Sequence, residues 1–319
     1  EIQRVPLEKM ILRIKILSAF KRKNVIKVLN NILEPPSENS VESSLQRLKN
    51  VGALYPDNSL TPLGYHLAQL PVDVRIGKLM LYGCMFRCLD AALTIAACLS
   101  FKSPFLSPFK EREAANEARK KFAAGNSDQL TAWRAYKAWA EAATRGQQAG
   151  WVFSQENYLG QKSLQTISQM KHQFAELLAS IGFVPHQVTS RVLDRAARGH
   201  GGADAVASVT GPEINTNNDN NRVVSSVLCA ALYPNIIKVY TPEAKYKQTA
   251  AGAMFKPPGP EDLKFKTSED GYIHIHPSSV TATVGYFKSP YLVFHEKIKT
   301  SRVFVREVII PNIYLNINK

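Results

Sequence analysis

The sequence predicts a mixed α and β multidomain chain: a winged helix over residues 1–71, a helical bundle over 72–185, a mobile loop over 186–222 and a small OB-like β-barrel over 223–319. Three changes of texture predict it. Near the start, apolar residues recur at helical spacing on either side of one hairpin-like interruption. From Asp73 to Gly182 the pattern is helical almost throughout. Beyond Pro234 it turns to short β-branched or aromatic runs separated by Pro, Gly and Ser.

Leu7, Met10, Ile11, Ile14 and Leu17 mark the first helix. Lys21–Asn24 reads as an exposed loop or helix end, and Pro35-Pro36 stops what precedes it. Asn39 with Glu42 reads as a capping box for a helix carrying Val41, Leu45 and Leu48, with Gly52 placed to end it. Ala53–Tyr55 and Ser59–Thr61 form the hairpin; Thr61-Pro62 is an N-cap followed by proline at the first helical position. In the bundle, Asp90 and Asp128 are expected N-caps, with loops at Ser103–Pro108 and Gly146–Gly150. Leu164, Ile167, Met170, Phe174, Leu177, Leu178 and Ile181 line one face of its last helix. Ala196–Arg222 is polar and poor in large apolar residues, which predicts the mobile loop. Val224, Val227, Leu228, Ala231 and Leu232 make one more helical stripe. Strands are expected at Ile236–Tyr240, Tyr272–Ile275, Tyr291–His295 and Val303–Val308, a density of short strands that suits an OB barrel.

Forty Lys+Arg against 26 Asp+Glu leave a formal charge of +14, which predicts an anionic partner, nucleic acid ahead of an acidic membrane. No apolar run approaches the roughly 20 residues that cross a bilayer. The start EIQRVPLEKM lacks an initial Met and an apolar signal core, so a piece of a longer intracellular polypeptide is expected. Four cysteines without CxxC or zinc spacing read as reduced, buried thiols.

Several chemistries lack their residues. No phosphate loop of the form G-x-x-x-x-G-K-[ST] is present, and Gly77-Lys78 is followed by Leu79. There is no Mg²⁺-holding Asp-Glu-x-His box, no G-x-S-x-G elbow and no His-Glu-x-x-His helix. The chain by itself is therefore not expected to hydrolyse ATP. His274 and His276 share a strand face but have no third ligand near in sequence. Cys84 and Cys88, beside Met85, Phe86 and Leu89, read as core. Trp133, Trp139 and Trp151 read as core as well, and His66 as a partly buried structural residue.

Leu60-Thr61-Pro62-Leu63-Gly64-Tyr65-His66-Leu67-Ala68-Gln69-Leu70-Pro71-Val72-Asp73 resembles the signature that runs from the winged helix into the ratchet domain of the DEAH/RHA-type RNA helicases. Tyr65 departs from it, since Arg or Lys is usual there. Cys98-Leu99-Ser100 with Ser103-Pro104-Phe105, then Asp128, Leu130, Trp139 and Asn157-Tyr158-Leu159, resemble the ratchet. Cys229–Asn235, His276–Val280, Lys299-Thr300-Ser301 and Val303–Val308 resemble the family's OB-fold, and Pro6-Leu7 the handover from the second RecA-like domain. The resemblance covers nearly the whole chain; the tail Ile309–Lys319 departs from it.

The resemblance implies the RNA-gripping C-terminal part of an ATP-dependent helicase. ATP and Mg²⁺ would belong to RecA-like motor domains of the same polypeptide and no cofactor to this fragment. The partners implied are single-stranded RNA, those motor domains and activator proteins of the glycine-patch type; the residence implied is cytoplasmic or nuclear, with no membrane. A protein-docking platform is the alternative reading. For RNA contact the resemblance points to His276, Ser278, Ser279, Lys297, Thr300, Ser301 and Asn157. Compact hydroxyl, amide and cationic donors suit phosphates. Pro277–Ser279 equally suits a plain turn, Lys297 a solvated hairpin, and Asn157 a helix cap.

Overall fold

The computed structural model describes residues 7–20, 23–32, 34–199, 204–242, 245–249, 252–256 and 259–311. Pro6, Lys21, Arg22 and the tail from 312 onward, named above, lie outside them. The winged-helix region contains α1 (Leu7–Ile16), α2 (Val25–Leu29), α3 (Glu38–Val51) and α4 (Pro62–Gln69). Its wing is minimal, one antiparallel bridge between Leu54 and Leu60. The expected capping box is displaced: Ser37 caps α3, its Oγ accepting from Ser40 N. Gly52 ends α3 with left-handed backbone at φ 86°, as its placement predicts. Thr61 Oγ1 accepts from Gly64 N at 2.9 Å and donates to Gly52 O at 2.7 Å, so one hydroxyl joins the end of α3 to the start of α4. Gly64 must be glycine, because a Cβ there would stand 1.9 Å from Ala53 O.

The bundle comprises α5 (Val74–Met85), α6 (Leu89–Ser100), α7 (Arg112–Lys120), α8 (Asp128–Ala143), α9 (Gln147–Glu156) and α10 (Gln161–Ser180), followed by α11 (Ser190–Arg198), α12 (Val206–Thr210) and α13 (Asn221–Leu232). α6 is enclosed through its middle, with Ala91 through Cys98 buried. The apolar stripe of α13 packs on α5 and α6 and completes this core. Cys84, Cys88 and Cys98 are buried free thiols, and Cys229 is half-buried. Burial first pushes the Cys84, Cys98 and Cys229 thiols up to about 12.

Two expectations fail here for the same physical reason. Neither Asp90 nor Asp128 is an N-cap, and residues 186–222 are not simply loop: α11, α12 and a 3₁₀ turn at Glu213–Asn215 lie within them. The N-cap of α6, Cys88, has no capping side chain. Asn215 and Asn218 reach in from the polar run instead, their Oδ1 atoms accepting from Asp90 N (3.0 Å) and Ala91 N (3.2 Å). Asn217 Nδ2 meanwhile donates to Phe86 O at the end of α5. The asparagines thus satisfy helix termini distant in sequence, a role that periodicity does not reveal. Asp90 is freed to bond the buried Lys171, whose Nζ donates to Asp90 Oδ1 at 2.8 Å and to Asp204 while lying 4.8 Å from the Tyr136 ring centroid. Burial opposes the Lys171 charge, but Asp204 and Asp90 outweigh it and raise the ammonium's pKa.

The last region is a closed five-stranded barrel of β1 (Ile236–Tyr240), β4 (Lys264–Thr267), β5 (Gly271–Ile275), β6 (Tyr291–Lys299) and β7 (Val303–Ile309) in the order β1-β4-β5-β7-β6, with β6 closing on β1. All pairs are antiparallel except β5 with β7. Strands β2 (Lys245–Thr249) and β3 (Gly252–Lys256) form a separate hairpin between β1 and β4. Ile237, Val239, Ile273, Leu292, Phe294, Val305 and Val308 fill the barrel core. β4 was not expected from the sequence, because Lys-Phe-Lys-Thr contains no apolar run.

Candidate nucleic-acid interface

The barrel presents two unlike sides. On one, Val293 of β6 and Ile309 of β7 enter the bundle's core, and β7 packs on α8. The polar fastening of that side centres on Asp128, which is 2% exposed. Its carboxylate accepts from Arg119 Nη2 (3.1 Å), Ser279 Oγ (2.6 Å), Val280 N (2.8 Å) and Val308 N (3.1 Å). Gln129 Nε2 donates to Glu307 O, and Arg119 Nη1 to Ser278 O. One carboxylate at the start of α8 therefore holds two separate barrel segments against the bundle.

Glu307 sits in this seam with left-handed backbone, φ 52°. Burial, then the neighbouring Asp128, pushes its carboxyl up to about 8. An unfolded glutamate titrates near ~4.3. The native state thus binds the proton more tightly than the unfolded chain, so this group's contribution to stability is full below about 4.3 and is lost as pH rises through about 8. Glu307→Gln is expected to leave the melting temperature unchanged at pH ~4 and to raise it at pH ~8.5, read by scanning calorimetry. An equal shift at both pH values would contradict the assignment.

On the other side, the outward residues of β1, β4 and β5 face solvent. Lys238, Lys266 and Tyr272 align across three strands, each in register with the next. Tyr240 is in register with Lys264, and His274 with Phe304 of β7. Tyr272 is 66% exposed. Lys238 Nζ lies 5.1 Å from the Tyr240 ring centroid, and the His274 and Phe304 centroids are 5.7 Å apart. Among the described residues no carboxylate pairs with Lys238, Lys264 or Lys266. Unpaired cations interleaved with exposed rings are what a single strand needs, charge for phosphates and π-faces for bases. On an OB barrel the second and third strands and the loops after the first and fourth form the usual contact surface. Here these correspond to β4 and β5, the insertion carrying the β2–β3 hairpin, and the β6–β7 turn at residues 300–302.

The residues singled out by sequence divide among different places. Thr300 and Ser301 are exposed in the β6–β7 turn, where Thr300 Oγ1 donates to Arg302 O at 3.1 Å. Lys297 bonds Asp270 (2.8 Å) and Glu269 (2.9 Å) of the β4–β5 turn, so its charge is already paired. Ser279 is buried and bonds Asp128, which corrects its expected place at a phosphate-facing surface. His276 is held on both sides. Its Nε2 lies 2.8 Å from Arg306 Nη2, and its Nδ1 lies 2.7 Å from Ser278 Oγ and 3.2 Å from Ser278 N. Burial and then Arg306 lower its pKa, which favours the neutral ring. Ser278 remains exposed. Asn157 stands apart in the bundle as the C-cap of α9, its Nδ2 donating to Phe153 O at 2.9 Å. Sequence reasoning missed Lys238, Lys264, Lys266, Tyr272 and His274 as a set. The signal was the period-2 alternation of Lys-Phe-Lys and Tyr-Ile-His.

Comparison with known proteins agrees with this architecture. Residues 44–72 match the winged-helix helicase-associated domain (HA2), residues 73–132 its ratchet-like part, and residues 224–310 the oligonucleotide/oligosaccharide-binding (OB) fold. The chain is 50% identical over 314 residues to human DHX57, named as an ATP-dependent RNA helicase, covering 98% of the chain and 22% of that protein. It is 36% identical over 306 residues to rat DHX36, named an ATP-dependent DNA/RNA helicase (96% and 27%). It is 35% identical over 308 residues to the Arabidopsis thaliana helicase DExH1 (96% and 26%). The chain thus spans about a quarter of the length of these curated relatives. By fold and by sequence, it belongs to the winged-helix, ratchet and OB-fold region of the DExH-box helicases.

Proposed function

We propose that this chain grips single-stranded RNA along the open face of its barrel, as the accessory part of an ATP-driven helicase. The observation that carries the reading is the unpaired Lys238, Lys264 and Lys266 set among Tyr240, Tyr272 and His274 on the solvent-facing side of β1, β4 and β5. Thr300 and Ser301 extend that surface, Thr300 by exchanging its bond to Arg302 O for one to a phosphate, and Ser278 offers another hydroxyl. In this reading RecA-like motor domains supply ATP hydrolysis with Mg²⁺, and this chain resists backsliding of the strand. Grip through phosphates and π-faces is weakly sequence-specific. Tyr272→Ala with Lys266→Glu is expected to weaken binding to a single-stranded RNA by about tenfold or more, measured by fluorescence polarisation. Both side chains are exposed, so the melting temperature should stay within a few degrees. Unchanged affinity in that folded variant would overturn the assignment to this face.

A second role, docking of activator proteins of the glycine-patch type or of ribonucleoprotein partners, is supported by a different surface. Phe101, Leu106 and Phe109 are exposed within one connection between α6 and α7, Phe109 at 90%. Exposed apolar side chains of this kind suit a protein rather than a phosphate chain.

A further inference from the structure

Trp151 contradicts the expectation that all three tryptophans are core: Trp133 and Trp139 are buried, whereas Trp151 is 48% exposed. It lines a cleft of ≈ 310 Å³ between the end of α8 and the starts of α9 and α10, together with Trp139, Gln147, Gln148, Gln161 and Gln165. The sequence shapes this cleft locally. Gly150 lets α9 close on α8, since a Cβ there would meet Ala143 Cβ at 2.9 Å. Gly146 at the N-cap of α9 contributes no capping side chain, so the first turn of that helix keeps unsatisfied N–H donors. Trp139 Nε1 donates to Gln161 Oε1 at 3.3 Å, which fixes one amide in the wall. Among the described residues, the Gln147, Gln148 and Gln165 amides have no partner within the chain.

We infer that this cleft is a nucleobase pocket, a second contact of the bundle with the RNA strand. A half-exposed indole offers a stacking face, and each free amide offers a donor and an acceptor to a base edge. No lining residue is charged, so the cleft recognises the ring and not a phosphate. Exposed Arg145 and Lys162, neighbours in sequence of the lining glutamines, supply cations for the adjoining backbone. The volume is at the lower end of ligand sites, adequate for one base with its sugar left outside. The inference rests on the RNA reading above but concerns a separate surface.

The test is photo-crosslinking of the chain to a 4-thiouridine-containing single-stranded RNA, with the linked peptides mapped by mass spectrometry. Links are expected on the peptide carrying Gln147, Gln148 and Trp151 as well as on β4–β5. Trp151→Ala should reduce the bundle link about tenfold and leave the barrel links, while Trp151→Phe restores it to within about threefold. Excess free uridine monophosphate that removes only the bundle link would identify free nucleotide as a ligand of the same pocket. Links confined to the barrel would overturn the pocket and leave the barrel reading standing. Links nowhere on the chain would overturn both.

Discussion

Replacing Asp128 with alanine is expected to destabilise the chain by about 3–5 kcal/mol, the cost of removing one partner from a buried charged network. Arg119, Ser279 and the amides of Val280 and Val308 would all lose their acceptor at once. The loss falls on the seam between bundle and barrel, so the loosened chain should also divide there. Limited proteolysis should release a C-terminal fragment starting near Pro234, where α13 gives way to β1. Asp128→Asn should recover little, because its amide nitrogen would confront donors where the carboxylate accepts. A folded Asp128→Ala variant with wild-type protease resistance would show that the apolar contact of Val293 and Ile309 suffices for docking.

Lys171→Met is expected to cost a similar ~3–5 kcal/mol, this time inside the bundle. Lys171 is fully buried, and its removal leaves Asp90 and Asp204 close together with no cation between them. The pH dependence separates this cause from a packing defect. In the native chain Lys171 holds the Asp204 carboxyl below its ordinary range, against the effect of burial. Asp204 therefore contributes stability that is present above its unfolded pKa and is lost as pH falls through its lower native value. Without Lys171 that contribution disappears at neutral pH, and burial favours the protonated carboxyls. The deficit of Lys171→Met should accordingly shrink as pH falls toward ~4, measured by thermal melts across pH. A deficit constant with pH would point to lost side-chain packing and not to stranded carboxylates.

Local signals in this sequence translate directly into structure. Thr61-Pro62 caps α4 and Gly52 ends α3 because each acts within a few residues of itself. The helical stripes of α10 and α13 and the strands β1, β5, β6 and β7 follow from apolar spacing, since a buried face imposes its period on the chain. What was illegible depends on partners far along the chain. Asp90 and Asp128 look like caps by type and position, yet Lys171 and Ser279 claim their carboxylates across the fold. Asn215 and Asn218 look like loop residues because the helix they cap begins more than a hundred residues earlier. The site follows the same rule. Thr300 and Ser301 were legible as exposed turn hydroxyls, whereas Ser279 was not legible as a seam residue, nor His276 as a partner of Arg306. The lysine and aromatic rows exist only once β1, β4 and β5 lie side by side.

The central claim is that the barrel's open face holds a single strand through phosphates. The direct measurement is the salt dependence of single-stranded RNA binding by the wild-type chain and by a Lys264→Gln/Lys266→Gln variant. Each phosphate neutralised on a single strand contributes about −0.7 to the slope of log K against log salt. The wild-type chain should bind at low salt with a slope of about −2, and the variant's slope should be shallower by about 1.4. Absence of binding at low salt, or an identical slope in the two proteins, would contradict the account.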